Sequence, residues 1–204
     1  MREPIIVLNV GWMKYYKGLE GDKLTDGGTF VREHGWGCEI LNFLPFEGYM
    51  YGCVQPPGKK EVPYNSRIIA IERLGATRND LFVDGVLVGW VARKPEGGTY
   101  VVGWYRNATV FRKWQKPPQG SRREYGDETL GYYVRARAND CILLTPDERT
   151  LRVPRARDPE NLEKGGIGQA NVWYADSGKP NDLKFGQEFK RVIQSYNPHW
   201  LPNA

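Results

Sequence analysis

The 204-residue sequence is poor in cysteine and histidine, and this scarcity argues against several kinds of site. Its three cysteines, Cys38, Cys53 and Cys141, include no CxxC pair of the kind found in zinc sites and redox motifs. We therefore expect reduced thiols packed in the core. The two histidines, His34 and His199, lie in no HxxxH or HxE arrangement, so we expect no metal site.

Motifs for nucleotide or ester hydrolysis are absent as well. The sequence contains no GxxxxGK[ST], GxGxxG or GxSxG segment. No apolar run approaches the roughly 18 to 20 residues of a membrane span. The first residues also lack the basic and apolar pattern of a secretion signal. These features predict a cytoplasmic protein with no membrane segment, no cofactor and no convincing catalytic constellation.

Basic residues are abundant and unevenly distributed. The net charge is +5 and the isoelectric point is near 9.0, which favours an anionic partner. No acidic residue lies between Glu96 and Glu124. The predicted phosphate-binding residues all fall in this interval: Arg106, Arg112, Lys113, Lys116, Arg122 and Arg123. A second basic cluster follows at Arg149, Arg152, Arg155 and Arg157. The competing interpretation is a solvated loop that happens to be basic.

Short β-branched and aromatic runs separated by turn residues predict a sheet-rich fold. Predicted strands cover residues 4–10, 38–43, 49–54, 67–71, 83–92, 99–105, 108–111, 132–137, 141–144 and 172–174. Gly97–Gly98 and Arg106–Asn107 are expected to form hairpin turns, which makes residues 83–111 a three-stranded meander. A further hairpin is expected across Asn139 and Asp140. Residues 15–37 have no regular period and predict a long functional loop.

The last part of the chain predicts the only persuasive helix. Between residues 181 and 196, apolar side chains recur at helical spacing, with Pro198 as a stop. We therefore expect one α+β domain over residues 1–204. It has a β-rich core at about 4–176, a mostly antiparallel, twisted, barrel-like sheet and few flanking helices, including one at about 181–196.

Aromatic residues occur at predicted strand ends, next to small polar side chains. Aromatic faces can stack on a nucleobase while amides bind its polar edge, and a flipped or single-stranded base exposes both. The candidates for a base-binding pocket are Trp12, Tyr15, Tyr16, His34, Trp36, Trp104, Asn107, Gln169, Asn171 and Trp173. Tryptophan and tyrosine are also ordinary core residues, so some of these are expected to serve packing alone.

The sequence leaves two other functions open. A small enzyme acting on a nucleotide or another anionic molecule would use His34 with Glu33 or Glu39 as acid and base. An interaction module would instead present its aromatic residues to another protein.

Five phrases together resemble a known group of proteins: residues 10–18 (VGWMKYYKG), 35–43 (GWGCEILNF), 51–56 (YGCVQP), 102–110 (VGWYRNATV) and 168–176 (GQANVWYAD). They are similar to reader domains of the PUA-like superfamily, which includes EVE and YTH domains, in modification-dependent restriction systems of phage defence. The resemblance implies a barrel-like sheet and a modified base in an aromatic cage, for which Trp12, Trp36 and Trp104 are candidates. No HNH nuclease segment is present, so cleavage would come from a partner. DNA is favoured over RNA.

Overall fold

The computed structural model of the protein describes residues 3–59, 61–158, 163–175 and 178–196. Its strands are β1 (Ile5–Val10), β2 (Tyr49–Gly52), β3 (Phe82–Arg93), β4 (Thr99–Gln115), β5 (Glu124–Tyr125), β6 (Glu128–Thr129), β7 (Tyr132–Arg137), β8 (Cys141–Leu143) and β9 (Val172–Tyr174). The α-helices are α1 (Thr29–His34) and α2 (Pro180–Tyr196). Short 3-10 turns lie at Cys38–Leu41, Tyr64–Ser66, Ile71–Leu74, Ala138–Asp140 and Pro146–Glu148. Pro198, the predicted helix stop, lies outside the described residues, and so does His199.

The main sheet has seven strands in the order β2-β7-β4-β3-β1-β9, with β8 also paired to β4. Strands β5 and β6 form a separate two-stranded ribbon. Strand β1 pairs with β3 in parallel, and the other described pairs are antiparallel. The outermost strands, β2 and β9, do not pair with each other in the described part of the chain, so the sheet is open there. The structure confirms a β-rich α+β fold, and the barrel-like arrangement stays a prediction.

Strand β1 is apolar on both sides because both faces of the sheet are covered. Its alternating side chains point to opposite faces, as a strand requires. Ile6, Leu8 and Val10 join one core cluster, whereas Ile5 and Val7 join the cluster beneath α2. The continuous IIVLNV run therefore reflects burial on two faces.

The predicted turn at Arg106–Asn107 is instead a bulge within β4. Val86 pairs with Ala108 and Val88 pairs with Tyr105, so Arg106 and Asn107 together oppose the single residue Leu87. Asn107 has φ 47°, a conformation that asparagine tolerates better than most residues. The expected three-stranded meander is therefore a long two-stranded hairpin, closed at Gly97–Gly98, where both glycines have positive φ.

Three other predicted elements were wrong. Within residues 38–43, Cys38–Leu41 form a 3-10 turn and no strand, and residues 67–71 contribute one isolated bridge, between Ile68 and Lys113. Strand β8 pairs with β4 and not with β7, so no hairpin forms across residues 139–140. The long loop at residues 15–37 contains the short helix α1.

The expectation of three reduced thiols was wrong for two of the cysteines. Cys38 and Cys53 form a disulfide, with their Cα atoms 5.6 Å apart. The 3-10 turn brings Cys38 against the segment that follows β2, a proximity that a separation of 15 residues does not reveal. Cys141 is free and buried, as predicted. Because disulfides are rare in reducing compartments, the cysteines no longer support the expected cytoplasmic location.

Helix α2 covers one face of the sheet, as its apolar spacing predicted. Phe185, Phe189 and Ile193 are buried, and the rings of Phe185 and Phe189 stack at 5.6 Å. A Cβ atom at Gly89 of β3 would lie 3.0 Å from the Phe189 ring, so this glycine allows the ring to pack directly on the strand. No helix in the described ranges is long and apolar enough to cross a membrane.

We expect Phe189→Ala to lower the free energy of unfolding by about 3 to 5 kcal/mol, because it opens a cavity between α2 and the sheet. Arg191→Ala, on the exposed side of the same helix, is the matched control and should change stability by less than about 0.5 kcal/mol. Urea denaturation measures both. Equal, small effects would show that α2 is an accessory to the fold.

Candidate functional site

A pocket of about 380 Å³ opens at the edge of the sheet where β1 ends. Its lining comes from the end of β1, from the loop and helix around α1, from the 3-10 turn at Cys38–Leu41, and from residues 54–55, 62–65, 67, 128 and 171. Most of these segments are loops carried by the rigid sheet. Binding residues are commonly presented in this way.

The pocket includes a chain of amide groups. The backbone N–H of Asn9 donates to the carbonyl of Asn171 at 2.8 Å, because β9 runs antiparallel beside β1. The Asn9 side-chain Nδ2 donates to Asn171 Oδ1 at 3.2 Å, and Asn171 Nδ2 donates to the Gln55 carbonyl at 3.3 Å. Asn9 Oδ1 is buried and has no hydrogen-bond partner among the described residues. Buried polar atoms in folded proteins normally have a partner, so this oxygen is an exception beside the pocket.

The carboxyl group of Glu39 lies beside these amides in the pocket. The backbone N–H of Gly11 donates to Glu39 Oε1 at 3.1 Å. A Cβ atom at residue 37 would lie 2.3 Å from Glu39 Oε2, so only glycine allows the carboxyl to approach the backbone this closely. Burial raises the pKa of Glu39, and the backbone N–H groups of Glu39 and Gly11 oppose that shift. A carboxyl group of this kind can donate as well as accept when it is neutral.

Phe30 and Trp36 line the pocket, and Tyr125 packs on Trp36 outside the lining; we call this group of three aromatic side chains the aromatic lip. The Trp36 ring lies 5.1 Å from Phe30, edge to face, and 5.1 Å from Tyr125. Phe30 is 43% exposed and Tyr125 is 39% exposed, which is unusual for large aromatic residues. Tyr64 adds another ring to the lining. The lip therefore presents aromatic surface at the entrance.

Three tethers hold the loops that build the pocket. The disulfide joins Cys38 to Cys53, and Asn42 strengthens the same connection. Its Nδ2 donates to the Cys53 carbonyl at 2.9 Å, and its Oδ1 accepts from the Cys53 N–H at 2.7 Å. The Arg67 guanidinium donates to the carbonyls of Pro56, Lys59 and Val62. These bonds restrict the loop-built wall.

The charged groups lining the pocket do not favour a phosphate. Asp26, Glu39 and Glu128 are acidic, and Arg67, the only lining cation among the described residues, is engaged with loop carbonyls. No cluster of three or more metal-ligating side chains occurs within the described ranges. The pocket therefore suits a planar, uncharged group with polar edges.

Of the predicted base-binding residues, Trp36 and Asn171 line this pocket, and the others lie elsewhere. Tyr16, Trp104 and Trp173 are buried in the core. Trp12 lies under the Arg149 guanidinium at 4.6 Å, and Tyr15, Asn107 and Gln169 are exposed outside the pocket. His34 is exposed and packs on Phe30 at 4.4 Å, and neither it nor Glu33 lines the pocket that contains Glu39. The expected convergence of Trp12, His34, Trp36 and Trp104 is not found.

The predicted phosphate-binding residues divide into two groups. Lys113, Lys116 and Arg122 are exposed. Arg106 is buried and pairs with Asp140 at 3.1 Å, and the Arg112 guanidinium donates to the carbonyls of Thr77 and Asp80 and pairs with Glu72. Arg123 is 1% exposed and donates to the carbonyls of Leu41, Leu130 and Gly131. The expectation that Arg122 and Arg123 share a surface loop was wrong for Arg123.

Sequence reasoning missed Asn9, Phe30, Gln55 and Tyr64 as pocket residues. A signal existed for Asn9, because it is the one polar residue in the apolar run IIVLNV. Gln55 and Tyr64 lie in segments near the disulfide and the Arg67 contacts, and Phe30 lies in the short helix α1, so tertiary contacts place all three. Comparisons with known protein families, curated proteins and solved structures find no match, so the PUA-like resemblance stays a prediction.

The raised pKa of Glu39 predicts how Glu39→Gln changes stability with pH. Ionisation of this carboxyl costs more in the folded than in the unfolded state, so the penalty is absent below the ordinary pKa of 4.5 and develops as pH rises above it. Glutamine keeps an acceptor for the Gly11 N–H and removes the penalty. We expect the melting temperature of the variant, relative to wild type, to increase from pH 4 to pH 7. A pH-independent difference would contradict the assignment.

The buried position of Arg123 gives a second prediction. We expect Arg123→Gln to lower the free energy of unfolding by about 3 kcal/mol, because buried carbonyls lose charge-assisted donors. Its neighbour Arg122, which is exposed, provides the matched control Arg122→Gln, expected to change stability by less than about 0.5 kcal/mol. Chemical denaturation of both variants checks this, and equal effects would argue against the role of Arg123.

Proposed function

We propose that this protein is a nucleic-acid reader that holds one unstacked, modified base in the pocket beside β1 and has no nuclease activity of its own. The observation that carries the proposal is the combination of the aromatic lip with the Asn9–Asn171 amide chain around one pocket. Aromatic faces stack on any base, and amides distinguish its edge. DNA is the favoured nucleic acid.

The size of the pocket supports a ligand larger than water or a simple ion. Its volume of about 380 Å³ lies in the range of small-molecule sites, roughly 300 to 1,000 Å³. A base with an added substituent is a ligand of this class. The acidic and amide lining disfavours a phosphate inside the pocket, so the backbone of a bound strand would remain outside.

The polar side chains of Asn9, Glu39 and Asn171 in the pocket lining support recognition of a base edge. Asn9 Oδ1 is an unpartnered acceptor, and Glu39 Oε1 already accepts one backbone N–H. A buried polar atom left without a partner disfavours ligands that cannot bond to it, which is the main source of hydrogen-bond discrimination. Both groups lie at the end of the pocket formed by β1 and the turn after Trp36.

The resemblance to PUA-like reader domains points to the same function. It adds a barrel-like arrangement of the sheet, a role in restriction and phage defence, and a nuclease effector supplied by a partner. These additions are part of the proposal. His34 packs on Phe30 but does not itself line the pocket that contains Glu39, which gives less support to an acid–base enzyme using His34.

Trp36→Ala tests the proposal in binding assays with matched modified and unmodified single-stranded oligonucleotides. Loss of one stacking face is worth about 1 to 3 kcal/mol, so we expect affinity for the preferred modified strand to fall roughly 5- to 150-fold. Weak, salt-sensitive binding to all strands should persist, because phosphate contact is a separate contribution.

Trp12→Ala is the matched control, because Trp12 is also partly buried but lies outside the pocket. It should leave the preference between modified and unmodified strands unchanged. Thermal melting of both variants separates loss of binding from loss of folded protein. If the wild-type protein shows no base preference, or if folded Trp36→Ala retains the full preference, the reader function is rejected.

A further inference from the structure

A second hollow, of about 490 Å³, lies where β3 ends. Four arginines, Arg93, Arg152, Arg155 and Arg157, contribute to its lining. Arg93 and Arg157 are exposed, and Arg152 and Arg155 belong to the segment that crosses the end of the β3–β4 hairpin through an isolated bridge between Tyr100 and Arg152. We call this surface the arginine hollow.

The arginine hollow and the base pocket share one edge of the sheet. Strands β1 and β3 are parallel, with Val10 paired to Ala92, so Arg93, the last residue of β3, lies at the level where Gly11 follows β1. Gly11 lines the pocket and Arg93 lines the hollow. The segment before β9 connects the two sites in the same way, because Gln169 lines the hollow and Asn171 lines the pocket.

The charges of the hollow are opposite to those of the pocket. The only carboxylate among its described lining residues is Asp158, which pairs with Arg152 at 3.2 Å. Arg155 Nη1 donates to the Gly168 carbonyl at 3.3 Å, which fixes its guanidinium beside the hollow. Burial lowers the pKa of Arg155, and the positive charge of Arg93 lowers it further. Like charges that line one hollow are stabilised by a bound anion.

We propose that the arginine hollow binds a phosphate of the nucleic-acid backbone, next to the base held in the neighbouring pocket. This inference rests on the proposed reader function. Guanidinium groups bind phosphate oxygens through paired hydrogen bonds, and phosphate contacts set the position of a strand without reading its sequence. The arginine hollow therefore positions the strand, and the aromatic lip and amides select the base.

The position of this surface differs from that predicted by basic residues between Glu96 and Glu124. Arg106, Arg112 and Arg123 of that interval are engaged inside the fold. Of the exposed members, Lys113 lies near the end of β4, and Lys116 and Arg122 lie beyond it, whereas Arg93 lies at the start of the β3–β4 turn. The long hairpin therefore separates the two basic groups along its length.

The double variant Arg93→Gln/Arg157→Gln tests the proposal, because both side chains are exposed and their loss should not unfold the protein. The probe is a fluorescent single-stranded DNA oligonucleotide carrying the preferred modified base, titrated at several salt concentrations. Affinity decreases as salt increases, and each lost phosphate contact reduces the magnitude of the slope of log affinity against log salt by about 0.7. We expect this magnitude to decrease by about 1 to 1.5, with the preference between modified and unmodified strands unchanged.

Lys113→Gln/Lys116→Gln is the matched control, because it removes the same charge from exposed residues outside the hollow. Its salt slope should stay close to that of wild type. Equal losses in the two double variants would show a general effect of net charge and overturn the proposal. An unchanged slope in the Arg93→Gln/Arg157→Gln variant would also overturn it.

Titration with inorganic phosphate separates this proposal from the reader function. Wild type should bind phosphate more tightly than the Arg93→Gln/Arg157→Gln variant, whereas Trp36→Ala should bind it as wild type does. If Trp36→Ala keeps the full base preference while the arginine variant loses phosphate affinity, the reader function fails and the anion site stands. If wild type and the arginine variant bind phosphate equally, or neither binds, the anion site fails.

Discussion

The parallel pairing of β1 with β3 is the constraint on which the rest of the structure depends. It places the ends of two buried strands at one edge of the sheet, where the chain leaves at Gly11 and Arg93. Antiparallel β9 returns the chain to the same edge at Asn171. Gly11 and Asn171 line the pocket at this edge, and Arg93 lines the arginine hollow. A one-residue slip in the β1–β3 register would exchange the faces of β1 and remove Asn9 from the pocket.

Buried guanidinium groups organise the loops around this sheet. Arg123 donates to carbonyls in two segments, at Leu41 and at Leu130–Gly131. Arg149 donates to the carbonyls of Met13, Lys14 and Leu144, and its guanidinium lies over Trp12. The planar, permanently charged fork of arginine can satisfy several carbonyls at once, which lysine cannot do in the same geometry. Much of the basic composition therefore serves folding. Surface binding depends on the subset of cations that remain near solvent.

The pocket combines loop-borne groups with strong local restraint. Its wall is tethered by the Cys38–Cys53 bond, by the paired hydrogen bonds of Asn42 and by the three carbonyl contacts of Arg67. Restraint of this kind lowers the entropy lost when a ligand binds, because the binding groups are already ordered. The bond between Cys38 and Cys53 also links the stability of the pocket to the redox conditions around the protein.

Sequence alone determined the elements whose signal is local. The β-branched run of β1, the Gly97–Gly98 turn and the apolar period of α2 were all predicted, because neighbouring residues decide these patterns. Residue type also selected Trp36 and Asn171 as base-binding candidates, and both line the pocket. Only the tertiary structure decided that Arg106 and Asn107 form a bulge, that Cys38 bonds to Cys53, and that Trp104 and Arg123 are buried. These outcomes depend on contacts between residues far apart in the chain, and a side chain's type does not reveal which face or loop will enclose it.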